Sequence, residues 1–279
     1  MQDDFRLVLS TYYPIHFSIT IILQVYLLFL LIRHTPVQMR GLRIFLLKTS
    51  LVEVTVAILI FLTQSRLIVS NNSVAILCYG PIKSFDSVTC HYSYCFLQFF
   101  ALANALSIAD TIYYKYHNVF RLSEKYAVKR LLVQFFISST PALAIVTLSL
   151  TAQKDASKIA LDIKTSHSEY EVPENVPIAG FSNMSDPHEI LAVVIIALVA
   201  YGVPVFCLLS KNKIVEKLRR NREALSEHTT RLIRTFATGL TFQSLVPVVC
   251  YVPVITGLLL EFSEPYKKPL DLLEHYEGP

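Results

Sequence analysis

Three ionisable residues stand inside otherwise apolar stretches of the chain: Lys48, Glu53 and Asp110. Charged groups in such surroundings catalyse, switch by exchanging a proton, or pair with a partner. Lys48 falls within a turn of the end of its stretch. Its stem can snorkel to the boundary there, so it reads as an anchor. Glu53 lies deeper, where a lone acid costs about 2.5–3.5 kcal/mol on insertion scales, so it must face other helices, be protonated or pair. Asp110 precedes TIYYKYH and is expected to contact the nearby basic segments, for instance Lys115 or residues 211–234. These groups do not make an enzyme. The eight histidines are scattered without an HExxH, and neither a GxSxG nor a Gly-rich phosphate loop is present. Five cysteines with no recurrent CxxC make neither a disulfide framework nor a zinc site. Nothing points to a metal, a cofactor or nucleic acid.

The elements that must position these residues are read from hydropathy. The 279 residues are 53% hydrophobic and 16% charged, against about 25% charged in a typical soluble domain. Runs long enough to cross a bilayer recur at about 13–32, 44–64, 91–114, 131–150, 190–210 and 235–260. The expected fold is an all-α, polytopic helical membrane bundle occupying residues 1–260, followed by a short polar tail, 261–279. The acidic leader MQDDF, with no small-x-small site after the first run, does not fit a cleavable signal peptide.

Orientation follows from loop lysines and arginines. Loops 33–43, 115–130 and 211–234 carry 16 of them, against 8 in the N-terminus, loops 65–90 and 151–189 and the tail. The richer side is expected in the cytoplasm, which puts the N-terminus outside. Both N-x-[ST] acceptors, Asn71 (NNS) and Asn183 (NMS), then fall in outer loops, as glycosylation requires.

Two inner features suggest signalling. In GLTFQSLVPVVCYVP, Gln243 and Pro247 share a helix face, and Pro247 removes the bond to the carbonyl of residue 243. That makes a hinge just above the loop KNKIVEKLRRNREALSEHTTRLIR. The loop's basic charge reads as topology plus attraction to anionic membrane lipid, or as a docking face for a cytoplasmic protein.

YGPIKSFDSVTCHYSY before the third run and YYKYHNVF at its inner end resemble the nematode serpentine chemoreceptors, most closely the Srd type within the Str-like group. LSEHTTRLIRTFATGLTFQSLVP is similar to that family's L-S-x-x-T followed by L-T-x-Q-x-x-x-P, matched by Leu225, Ser226, Thr229, Leu240, Thr241, Gln243 and Pro247. The resemblance covers residues 10–260. It implies a seven-helix, G-protein-coupled receptor of chemosensory neurons that detects small molecules. Coupling to a heterotrimeric G protein would then fall to Tyr114, Lys115 and Tyr116, with Lys217, Arg219 and Arg220. The family's aromatic-Arg-aromatic motif is Tyr114-Lys115-Tyr116 here, and lysine lacks the planar fork of arginine. Where the family has Gly-Pro-Cys this chain has Gly80-Pro81-Ile82, so the usual partner of Cys90 is absent; Cys78 is the available substitute.

By depth, Tyr94, Gln98 and Phe99 on the third helix and Tyr251 on the sixth lie in the outer half, where an aromatic wall with a few polar groups suits a small ligand. Ordinary interhelical packing accounts equally well for any one of them. After the sixth run comes EFSEPYKKPLDLLEHYEGP, which is short and charged, so the expectation is that the family's seventh helix is missing, through a truncated isoform or gene model or through degeneration, and that the chain does not signal alone. Two other readings stay open: a non-signalling six-span protein that pairs with full-length receptor chains, and a small channel or carrier. Against the last, the chain has no Arg-every-third voltage sensor and no two-fold internal repeat.

Overall fold

The protein is described from a computed structural model. It describes residues 2–34, 40–70, 73–120, 128–152, 155–166 and 176–220, with isolated residues between 231 and 256. Among the described residues, six continuous α-helices carry the fold: α1 (Gln2–His34), α2 (Arg40–Thr63), α3 (Ser87–Phe120), α4 (Val128–Thr151), α5 (Ala156–Ser166) and α6 (Pro187–Arg220). Among the described residues, Ser10–His34, Arg43–Thr63, Ser87–Tyr116 and Pro187–Glu216 are each long and apolar enough to cross a membrane. Phe136–Thr151 meets the same test only together with α5, from which it is bent by 88°. The described residues near the expected sixth run, among them Thr235, Phe242, Leu245, Val249 and Thr256, are helical. Thr256 is tied to α6 through Tyr201, hydroxyl to hydroxyl at 3.0 Å.

α3 is the central post, packed against α2, α4 and α6, whereas α1 packs on α2. Its inward positions recur every three or four residues, at Leu102, Ala105, Ile108 and Ile112. They meet Ala142 and Ile145 of α4 and Val199, Val203 and Cys207 of α6. Alanines at this seam let the backbones approach closely, the role that glycine pairs fill in other membrane helices. The outward faces are apolar: Ile22 and Leu23 of α1, Phe96 of α3 and Leu198 of α6 are all exposed. A bilayer matches such faces, because it imposes no penalty on apolar surface.

The two charges expected to act separately are partners. The Lys48 Nζ donates to the Asp110 carboxylate at 3.0 Å, and the Ser138 hydroxyl donates to the same oxygen at 2.8 Å. Lys48 is therefore more than a boundary anchor, and Asp110 has partners on both α2 and α4. One turn further in, the Thr49 and Ser107 hydroxyls join α2 to α3 at 2.6 Å. Glu53 is also partnered: it accepts from the Gln24 amide of α1, whose own oxygen accepts from Ser50 at 2.6 Å.

The end of the bundle where α2 stops and α3 starts carries a structure that the hydropathy pattern treats as loop. SRLIV and VAILC form the antiparallel strands β1 (Ser65–Val69) and β2 (Val74–Cys78), and β3 (Ile178–Phe181) pairs with the far edge of β2. Segments of five residues after a membrane helix carry no period long enough to distinguish strand from helix. Ile76, Leu77 and Cys78 are wholly buried. Cys78 is joined to Cys90 at the start of α3 by a disulfide, with Cα atoms 6.1 Å apart. Gly180 has φ +139°, and a Cβ there would lie 2.0 Å from the Val74 carbonyl oxygen, so only glycine lets β3 approach. Gly80 plays the same part beside α2, where a Cβ would lie 2.2 Å from the Leu62 oxygen. Asp86 and Asp155 cap the outer starts of α3 and α5. Hydrogen bonds from Thr89 and from Ser157 hold the two carboxyl groups below their usual range.

Removing one member of the Lys48–Asp110 pair strands the other charge. Asp110→Ala should cost about 3–5 kcal/mol, whereas the paired change Lys48→Met with Asp110→Met should restore most of that loss. Thermal inactivation of detergent-solubilised protein, followed by size-exclusion of the surviving folded fraction, measures both. A paired variant no more stable than Asp110→Ala would show that the two charges do not act as a unit.

Candidate functional site

The first third of α3 presents two faces. Phe96 and Tyr92 are exposed on one of them. On the other, Tyr94, Gln98 and Phe99 are half-buried. Tyr94 packs against the cluster that holds the disulfide and β2, and Phe99 packs against the α3–α4–α6 core. Tyr94 and Gln98 lie one turn apart on this face, with their polar ends within interacting reach. The Ser149 hydroxyl of α4 donates to the Gln98 oxygen at 3.4 Å, a long and weak bond.

Neighbours that the sequence pattern did not single out complete this region. The Glu189 side chain, buried at the start of α6, lies within electrostatic reach of Tyr94. His91 is buried one turn before Cys95, with its Nε2 3.3 Å from the Ser149 carbonyl oxygen and 3.5 Å from the Cys95 Sγ. The i,i+4 spacing of His91 and Cys95 in CHYSYC was the available signal for that pair. For Glu189 it was an acid at the outer end of the most apolar span. α4 and α6 thus converge on the first half of α3 and bring an aromatic ring, an amide, an imidazole and a carboxyl group to one region. Tyr251, expected to join from the sixth helix, lies outside the described residues.

The residues that the resemblance assigns to coupling lie further along α3 and on α6. Tyr114 and Lys115 are each 9% exposed and Tyr116 is half-buried. The Tyr114 ring sits 5.0 Å from that of Phe45 on α2. The reason is length: α3 runs on to Phe120, so positions 114–116 are flanked by α2 and do not end the helix. Arg220 is exposed and pairs with Glu216 at 2.5 Å along α6. Lys217 and Arg219 belong to α6, with their side chains outside the described residues. Gln243 and Pro247 also lie outside the described residues, as does Asn71. Asn183 is half-buried just after β3, and its Oδ1 accepts the Ser185 N–H at 3.0 Å.

A family profile described as "Serpentine type 7TM GPCR chemoreceptor Srd" matches residues 9–270. This chain belongs to the Srd family of serpentine chemoreceptors. It is similar to Serpentine receptor class delta-59 of Caenorhabditis elegans, 26% identical over 264 residues that cover 95% of this chain and 80% of that protein. Against delta-50 of the same organism it is 27% identical over 273 residues, covering 92% of this chain and 78% of the other. Against delta-44 the identity is 28% over 261 residues, with 90% and 77% covered. The Srd family is receptor-type, so the inward polar groups belong to a multi-pass membrane receptor and not to an enzyme.

The two faces of α3 in this Srd receptor are separable by labelling. Single cysteines at Phe96 and Gln98 should react with a lipid-soluble maleimide at rates differing by about tenfold, the Phe96→Cys variant faster. Equal rates would mean that Gln98 also faces lipid and does not contribute to an internal site.

Proposed function

We propose that this receptor detects small molecules at the outer half of α3 and couples to a heterotrimeric G protein from the plasma membrane of sensory neurons, with its N-terminus outside. The observation that carries this reading is the inward ladder Tyr94–Gln98–Ser149, set beside Phe99 and within reach of Glu189. Such a wall offers an apolar ring, a hydrogen-bonding amide and a negative charge to one small ligand. Its weakest rung, the 3.4 Å bond between Ser149 and Gln98, is the one a ligand replaces at least cost. Replacing it loosens α3 from α4 at the outer end, while the Lys48–Asp110–Ser138 cluster holds the same helices together further in.

Coupling runs through the inner ends of the helices. Arg220, with Lys217 and Arg219, supplies positive charge on the cytoplasmic side, and Tyr114, Lys115 and Tyr116 become accessible when α2 parts from α3. The bend at Gln243 and Pro247 lets the sixth helix swing during that step. A ligand shifts this equilibrium only by its preference for the open state.

The functional test is a calcium assay in cells co-expressing the receptor and a promiscuous G protein, screened against a panel of volatile and water-soluble small molecules. For any agonist found, Gln98→Ala and Phe99→Ala should each raise the half-maximal concentration about tenfold or more, while Phe96→Ala leaves it within twofold. Equal effects at all three positions would remove the site from the outer face of α3.

Orientation has its own measurement. With the N-terminus outside, endoglycosidase treatment should increase gel mobility of protein made in animal cells. Asn71→Gln together with Asn183→Gln should abolish the shift. Labelling of loop 151–189 by a cytoplasmic reagent, with no glycosidase shift, would invert the topology.

A further inference from the structure

A cleft of about 360 Å³ lies outside the helix bundle, between the first turns of α3, the start of α5 and strand β3. Val88, Ile159 and Ile178 give it apolar walls, and Ser87, His91 and Tyr92 supply its polar groups. It shares Ser87, Ala156 and Ile178 with a wider mouth of about 540 Å³ that reaches Lys83 and Asp86. None of Tyr94, Gln98 and Phe99 lines either part. We propose that this cleft is a second small-molecule site, separate from the one on the inward face of α3, and that it takes neutral amphiphiles with one hydrogen-bonding head and a short apolar tail.

Charge selects the class. Among the described residues that line the inner cleft, none carries a carboxylate, ammonium or guanidinium group, so an ion entering it would lose hydration without a counter-charge. At the mouth, Lys83 and Asp86 are of opposite sign, and an ion of either sign meets one like charge there. A neutral alcohol, ketone or ester meets neither obstacle. Its head finds the imidazole of His91 or the hydroxyls of Ser87 and Tyr92, and its tail lies along Val88, Ile159 and Ile178. The volume stands at the low end of the roughly 300–1,000 Å³ typical of ligand pockets, which limits the occupant to small molecules.

The walls are preformed. β3 is held by β2, and β2 is tied to α3 by the Cys78–Cys90 disulfide, so the cleft requires no ordering when filled. Its inner wall also touches the bundle. The ring that lines it, His91, lies 5.4 Å from Phe181 and within 3.3 Å of the Ser149 carbonyl on α4. An occupant therefore bears on a side chain shared by α3, α4 and the sheet.

The test is binding, so it does not depend on whether the receptor signals. The whole chain in lipid nanodiscs is exposed to a diazirine derivative of octanol, irradiated and mapped by mass spectrometry. Saturable labelling should fall on Val88, Tyr92 or Ile159 and be displaced by excess octanol. Ala156→Trp and Val88→Trp place a large ring in the cleft from exposed positions, and each should cut that labelling about tenfold while the disulfide stays intact. Phe99→Ala should leave it unchanged. Labelling that does not saturate, that spreads evenly along the lipid-facing helices, or that survives both tryptophan variants overturns the proposal. So does labelling lost with Phe99→Ala instead, which would assign the probe to the inward face of α3.

Discussion

The ion pair between Lys48 and Asp110 is the interaction around which the bundle is organised. Lipid supplies no hydrogen bonds, so every polar group carried into the bilayer must be met from within the protein. Asp110 stands on the central helix α3, and its carboxylate accepts from Lys48 of α2 and from Ser138 of α4. One acid thus fixes the relative heights of three helices. The Thr49–Ser107 bond repeats the constraint one turn away. Apolar packing alone would not set such a register, because a leucine surface is as content against lipid as against another helix. The apolar seam of Leu102, Ala105, Ile108 and Ile112 then closes at the depth the polar contacts dictate.

Outside the bundle the constraint is a different one. Water is available there, and the sheet holds because β2 is buried and covalently joined to α3. Two glycines, Gly80 and Gly180, make close backbone approaches that no other residue allows. The start of α3 is therefore tied to β2 by the disulfide and packed against the strands, while Tyr92 and Phe96 keep its other face exposed.

Membrane class was legible from hydropathy, since about 20 consecutive apolar residues in a helix match the thickness of a bilayer's hydrocarbon core. The motifs around Cys90, Tyr114 and Gln243 were specific enough to suggest the family. Legibility failed where the signal was short. Five-residue strands look like the frayed ends of helices. A charge near a span boundary looks like a snorkelling anchor whether or not an aspartate waits on another helix, so Lys48 and Asp110 read as two unrelated residues. The burial of Tyr114 and Lys115 was hidden for a similar reason: sequence shows where a run of apolar residues stops, but α3 continues beyond that point to Phe120.

By itself the sequence determined the solvent this chain lives in, the number and rough limits of its apolar runs, and its family. Those properties are sums over long stretches, or local patterns of residue type, and neither needs a partner in space. Only the tertiary structure decided which polar residues answer one another. Lys48 with Asp110, Gln24 with Glu53, Cys78 with Cys90 and His91 with Ser149 join positions between 12 and 62 residues apart. Helices of similar hydropathy can be packed together in many ways that bury the same apolar area. The charge pair, the disulfide and the glycine contacts distinguish among those packings, and each depends on a distance that no linear spacing records.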